Sequence, residues 1–185
     1  MKSYKLDYEQ IYMFTAKQLL ENKIVGWFQG KSEFGPRALG NRSILSNPMI
    51  DNVDYLNLEV KKREWWRPYA PIVLEQYAHD YFDFPRETSP YMLFSGFVKQ
   101  EQLGKIPAVT HKDNSSRIQT VNENQNKHVY KLIEMFYNIG GVPLLLNTSF
   151  NMAGEPIVQT PSDAINTFEN SLIDVLVINN YLIMK

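Results

Sequence analysis

Val142-Pro143-Leu144-Leu145-Leu146 is apolar at every position. A strand with one wet face alternates apolar and polar residues. An unbroken apolar run therefore fits a strand covered on both faces, inside a layered sheet. Helical and extended patterns alternate around it. Tyr8, Ile11, Tyr12, Thr15, Ala16 and Leu19 recur at helical spacing and predict a helix over 8–22. Val129, Leu132, Ile133, Phe136 and Ile139 predict another over 128–139, stopped by Gly140-Gly141. Thr160-Pro161 starts a third, carrying Ala164, Ile165 and Phe168. Pro48 and Asp51 prepare a shorter one through Val53, Leu56 and Val60. Extended runs are expected at 24–28, 42–45, 70–74, 92–98, 117–121 and 174–178, the last turning at Asn179-Asn180 into a hairpin with 181–184. Pro71 puts the 70–74 run at a sheet edge or a strand start. No repeat or internal linker interrupts the order. The reading is one α/β (α+β) domain over 1–185, a mixed sheet flanked by helices.

Composition excludes several classes of function. With 19 Lys+Arg against 20 Asp+Glu, the chain has a formal charge of −1 and no bulk attraction for nucleic acid or anionic membrane. A hydrophobic fraction of 44% and an aromatic fraction of 13% are those of a chain that folds. Having no cysteine, it cannot carry a disulfide scaffold, a thiolate zinc site or a cysteine nucleophile, and it fits the cytoplasm. No apolar run approaches the ~20 residues of a membrane helix, and residues 1–7 do not resemble a signal peptide.

The basic residues stand beside turns. Arg37 follows Gly35-Pro36, Arg42 comes five residues later, and Lys61, Lys62, Arg63 and Arg67 crowd the end of the third helical pattern. Arg117 starts an extended run. Guanidinium forks match phosphate oxygens and Lys adds a movable point charge, so several converging would hold a polyphosphate or acyl phosphate. Any one alone is more simply a solvated charge, and Lys62 and Arg63 also suit a helix C-terminus. Asn147-Thr148-Ser149-Phe150-Asn151 follows the apolar run, where ligands gather beyond the carboxyl ends of strands in α/β sheets. The same residues serve equally well as turn and capping groups. His79, His111 and His128 are scattered and make no metal-ligand pattern, although His111-Lys112-Asp113 could form a local pair. Glu64-Trp65-Trp66 reads as core or interface before base stacking.

Four ordered blocks carry a resemblance. Ser32-Glu33-Phe34-Gly35-Pro36-Arg37-Ala38-Leu39-Gly40-Asn41-Arg42-Ser43-Ile44-Leu45 is the first. Lys61–Glu64 with Arg67-Pro68-Tyr69-Ala70-Pro71, His111–Val121, and Asn147–Asn151 with Gly154-Glu155-Pro156-Ile157 are the others. Together they resemble the C-terminal domain of the NodU/CmcH-type O-carbamoyltransferases of nodulation-factor and antibiotic biosynthesis. Lys61-Lys62-Arg63 and Ser149-Phe150-Asn151 also match the Lys-x-Arg and Ser-x-Asn motifs of YrdC-like proteins. One departure is Asn114-Ser115-Ser116 before Arg117, where the family tends to have Gly-Thr-Ala.

The resemblance implies a YrdC-like fold and an adenylating step in which carbamoyl phosphate and ATP, with Mg²⁺ on the nucleotide, give carbamoyl adenylate. Transfer to a hydroxyl acceptor would occur in a separate N-terminal domain or partner chain, which also holds the family's metal. On this reading Lys61, Arg67 and Arg117 hold the phosphates and the carbamoyl end as the catalytic set. Arg37, Arg42 and Arg63 complete the anion site, Arg37 and Arg42 alternatively bracing its loop. Asn147, Ser149 and Asn151 orient the nucleotide, and this part of the enzyme has no metal site of its own. Two alternatives stand beside it: a threonylcarbamoyl-adenylate synthase, and a non-catalytic nucleotide- or RNA-binding module of the same fold.

Overall fold

The computed structural model describes residues 1–185. The elements in chain order are β1 (Lys2–Lys5), α1 (Tyr8–Leu20), β2 (Val25–Phe28), β3 (Arg42–Ser46) and α2 (Val53–Tyr55), which runs into a π-helical turn at Leu56–Val60. Then come β4 (Ala70–Leu74), α3 (Ala78–Tyr81), β5 (Phe82–Asp83), β6 (Phe94–Val98), β7 (Ser115–Val121) and α4 (Lys127–Asn138). The chain closes with β8 (Leu144–Ser149), α5 (Pro161–Glu169), β9 (Val175–Ile178) and β10 (Tyr181–Met184). All ten strands join one sheet in the order β1-β10-β9-β2-β3-β8-β4-β7-β6-β5. Only β2–β9 and β4–β7 pair in parallel, so the sheet is mixed.

Local chemistry sets the helix starts. Asp7 accepts the amide of Gln10 while Gln10 returns a bond to the Asp7 amide, a reciprocal cap that opens α1. Thr160 and Asp163 do the same for α5. α1 packs on α4, α4 against β4 and β8, and α5 against β2 and β9. One cluster of 42 buried apolar residues joins these layers, with Leu144, Leu145 and Leu146 fully buried in it.

Three expectations are corrected. β4 is interior, between β8 and β7, so of the two places expected for Pro71 the edge is corrected and the strand start holds, Pro71 being the strand's second residue. The Leu74 amide donates to Pro143 O in the β4–β8 ladder, so Pro71, an odd number of residues away, turns its nitrogen toward β7. The β7 register begins only at Ile72, so the missing N–H breaks no rung. β8 starts two residues later than expected and continues through Asn147 to Ser149, because these pair with Leu45 and Ser43 of β3. Trp65 and Trp66, expected in the core or at an interface, are 51% and 61% exposed, which removes only the first alternative. The sequence reading also misses β1, whose four exposed residues pair with β10 at the sheet edge.

Candidate active site

The loop between β2 and β3 is organised by one carboxylate. Glu33 Oε1 accepts the amides of Leu39 (2.7 Å), Asn41 (2.6 Å) and Arg42 (3.4 Å). Three converging N–H groups suit a carboxylate and fix the segment carrying Arg37 and Ala38. Gly40 closes this loop at φ +107°, and a Cβ there would lie 2.8 Å from Val129 Cγ1. Arg42 is buried beneath it and donates to the carbonyls of Gln29 (2.8 Å), Asn41 (2.9 Å) and Gly30 (3.0 Å). Its guanidinium also lies 3.5 Å from the Phe28 ring centroid. Of its two expected roles the structure assigns the brace; as a substrate-binding residue Arg42 is corrected.

The π-helical turn ends in a reversal. The Lys61 amide donates to Leu56 O (2.8 Å) and the Arg63 amide to Asn57 O (2.9 Å). Between them Lys62 sits at φ +49°, the left-handed conformation that ends helices. Asn57, fully buried, donates to the carbonyls of Trp65 (2.9 Å) and Arg67 (2.8 Å) and accepts from Arg63 Nε (2.7 Å). The reversal sends Lys61 inward and leaves Arg63 half-buried at a cleft.

Lys61 is 3% exposed. Its ammonium donates to Ser149 O (2.7 Å), Asn151 O (2.6 Å) and Asn151 Oδ1 (2.9 Å), with Ser149 Oγ at 3.4 Å. Ser149 Oγ in turn donates to Asn151 Oδ1 (2.6 Å). An ammonium has three protons, and here the protein takes all of them. Burial first, then the like charge of Arg63, lowers its pKa to about 7, against the pull of Glu155. Lys61 thus ties the Ser149–Asn151 turn to the helix end and is not a free phosphate ligand.

The cleft itself is lined by Arg37, Arg63, Arg67 and Arg117, with Pro68, Tyr69, Ser95 and His111, and measures about 370 Å³. No carboxylate lines it; the one acidic partner nearby is Glu64, 2.8 Å from Arg67 Nε. Arg117 projects from β7, and burial, then the charge of Arg37, lowers its proton affinity. Asn114, the first residue of the departure noted in the sequence, sits at φ +63° in the turn before β7. Asn tolerates that conformation best after Gly, so the departure in this block leaves the turn intact. His111 Nε2 lies 3.2 Å from Tyr69 O, with Ser115 Oγ 3.1 Å from its Nδ1. A carbonyl only accepts, so Nε2 carries the proton.

A smaller, deeper cavity continues from this cleft. Arg37, Arg63, Tyr69 and Arg117 line it together with Ala38, Met92, Asn147 and Ser149. Asn147 is held from β8 by donating to Ala38 O (3.0 Å) and Gln119 Oε1 (2.8 Å). Lys61, Ser149 and Asn151 line a third lobe of about 370 Å³, which shares Arg63 and Arg67 with the cleft. The expected convergence is therefore partial. Arg37, Arg63, Arg67 and Arg117 meet, Asn147 and Ser149 lie on the floor, and Lys61 and Asn151 stand behind Arg63. Sequence reasoning missed Glu33, Asn57, Tyr69 and Gln119. A lone carboxylate inside a Gly-Pro-Arg loop was the available signal for Glu33. His79 stacks on Phe84 (4.5 Å) and His128 meets the Tyr12 hydroxyl (2.8 Å), both away from the cleft. No three His, Asp or Glu side chains come together as a metal-binding group.

The family model described as carbamoyltransferase C-terminus matches residues 16–185. The nodulation protein NolNO of Sinorhizobium fredii is 47% identical over 174 residues, which is 92% of this chain and 26% of that protein. The chain spans about a quarter to a third of the length of the first curated relatives it matches. Among solved structures, full-length HypF, in a phosphate- and nucleotide-bound form, superposes with a TM-score of 0.65 at 18% identity, over 97% of this chain and 22% of that one. A variant of Sua5 from P. abyssi gives a TM-score of 0.68 at 14% identity, over 95% and 50%. These two establish the YrdC-like fold.

Proposed function

Because the chain belongs to the carbamoyltransferase C-terminus family, we propose that it is the carbamoyl-activating part of an O-carbamoyltransferase. It binds carbamoyl phosphate and ATP and forms carbamoyl adenylate. The observation that carries this reading is the meeting of four arginines, from three separate segments of the chain, in a cleft lined by no carboxylate. Four like charges side by side are costly unless an anion joins them, and the two substrates bring several negative charges. HypF, solved with phosphate and nucleotide, is compatible with the fold taking such ligands.

In balanced form, water releases phosphate from carbamoyl phosphate to give carbamate. A carbamate oxygen then attacks the α-phosphorus of ATP and pyrophosphate leaves. Arg37, Arg63 and Arg117 hold the acyl phosphate and the developing charge, and Arg67 serves the outer phosphates. Lys61, through Ser149 and Asn151, fixes the turn beside them. Mg²⁺ would arrive on the nucleotide's own phosphates, since no carboxylate lines the cleft to hold it. The hydroxyl acceptor and the transfer step belong to a further domain or partner chain, and a cytoplasmic location is part of the same reading.

Pyrophosphate release is the test. Release with carbamoyl phosphate plus ATP supports the proposal. Release only with threonine, bicarbonate and ATP would assign the synthase activity instead, and release with neither would leave a binding module.

A further inference from the structure

Ten buried side-chain polar atoms lack a hydrogen-bond partner within the protein, and three of them, Tyr69 Oη, Arg117 Nε and Asn147 Oδ1, belong to residues lining the small cavity that continues from the cleft. Folded proteins leave few such atoms, and a cluster in a cleft asks for a ligand that completes it. Tyr69 and Asn147 are 3% and 2% exposed, so bulk solvent does not serve them.

The kind of atom each presents is fixed. Gln119 Nε2 donates to Leu39 O (2.9 Å), which leaves Gln119 Oε1 as an acceptor. Asn147 Nδ2 donates to that Oε1 and to Ala38 O, so a flipped amide would set oxygen against oxygen twice. Asn147 Oδ1 is therefore the free end, and it can only accept. Tyr69 is kept protonated: burial pushes its hydroxyl up to about 12, against the opposing charge of Arg63. Arg63 stands 4.7 Å from the ring centroid, close enough to the hydroxyl to favour its ionised form but outside full hydrogen-bond geometry, and a guanidinium only donates, so the hydroxyl proton stays free. The cavity thus offers one acceptor among donors. A phosphate or a carboxylate satisfies the donors but turns oxygen toward Asn147. A planar group bearing both an oxygen and an amino group satisfies all of them.

We propose that Asn147 Oδ1 accepts from the amino group of the carbamoyl substrate and that Tyr69 Oη donates to its carbonyl oxygen, so that the cavity selects carbamoyl over acetyl groups. This rests on the reading of the cleft as a carbamoyl phosphate site and adds the atoms that recognise the amino group. A hydrogen bond gained at an otherwise unpaired buried acceptor corresponds to about a ten- to hundredfold preference.

The test is calorimetric titration of the chain with carbamoyl phosphate, acetyl phosphate and inorganic phosphate at one ionic strength, for the parent, Tyr69→Phe and Asn147→Ala. The parent is expected to prefer carbamoyl phosphate over acetyl phosphate by about ten- to a hundredfold. Tyr69→Phe removes a hydroxyl that has no protein partner. It should melt no earlier than the parent, bind both acyl phosphates about tenfold more weakly, and bind inorganic phosphate unchanged. Asn147→Ala should bring the carbamoyl-to-acetyl ratio to about one. Because Asn147 also ties Ala38 to Gln119, the parent ratio and Tyr69→Phe decide the matter if that variant does not fold. A parent ratio near one, with Tyr69→Phe indistinguishable from it, overturns the inference. Carbamoyl phosphate-dependent pyrophosphate release persisting in that case would leave the functional reading standing. A parent that binds none of the three anions overturns both.

Discussion

Lys61 and Arg63 are two residues apart in the chain and serve opposite environments. At Lys61 every donor is matched: four oxygens of Ser149 and Asn151 surround one ammonium. At the cleft beside Arg63, four arginines line one space without a lining carboxylate, and three buried polar atoms of lining residues nearby have no protein partner. A closed network of this kind holds the backbone in place. An open one, more exposed at its rim, fits a partner that the chain itself does not supply. Both lie within the Lys-x-Arg motif, so on the proposed function the motif joins a brace to a ligand and does not supply two equivalent ligands.

The largest effect that separates the two regions is on catalysis. Arg117→Ala should lower carbamoyl phosphate-dependent pyrophosphate release by about a hundred- to a thousandfold, as loss of a donor to developing oxyanion charge does, with little change in melting. Arg67→Ala should cost clearly less, because Arg67 is half-exposed and already paired with Glu64. Equal losses for the two would remove the distinction between the inner and outer parts of the cleft.

Next comes stability. Lys61→Met should destabilise the fold by about 2–3 kcal/mol, since it strands two carbonyls that the ammonium now satisfies. Chemical denaturation measures this, and an unchanged midpoint would make Lys61 a ligand after all. The sign of its pH dependence is also fixed. The pKa falls from 10.5 in the unfolded chain to about 7 when folded. Between those values the unfolded chain binds more protons, so the contribution of Lys61 to stability is present in full above 10.5 and is lost as pH falls through about 7. Relative to Lys61→Met, the parent should gain stability as pH is raised from 7 toward 10.

Glu33→Ala should act on the cleft from a distance, by freeing three amides in the Arg37 loop at a cost of about 1–2 kcal/mol. Affinity for carbamoyl phosphate should fall, and Glu33→Gln, which keeps an acceptor oxygen, should restore part of it. A Glu33→Ala protein with parental affinity would show that the loop holds Arg37 without the carboxylate. The smallest effect is expected at Lys62→Gly. A left-handed lysine costs about 1 kcal/mol that glycine avoids, so this variant should melt slightly later with its activity kept.

The sequence made the sheet legible where burial is symmetrical. Leu144–Leu146 is apolar because both faces are covered, and a period of one residue records that directly. β1 left no trace, because its order comes from pairing with β10 and not from its own four exposed residues. Pro71 marked a strand start correctly but left the edge open, because a proline shows that an amide is missing and not which neighbouring strand it would have faced. At the site, charge and motif spacing located the arginines, which are few and stand at turns. Arg42 and Lys61 look the same on paper as Arg37 and Arg63. What separates them is direction, set by the Glu33 loop and by the left-handed Lys62. Tyr69 and Gln119 matter through buried polar ends that a sequence shows only as a strand flank and a strand residue.

Isothermal titration of the chain with pyrophosphate, with Arg37→Ala/Arg117→Ala beside the parent at matched ionic strength, tests most directly that the cleft is an anion site. One pyrophosphate is expected per parent chain, with an affinity reduced about a hundredfold or more in the double variant, whose melting stays parental. Equal affinities in two equally folded proteins would contradict the account.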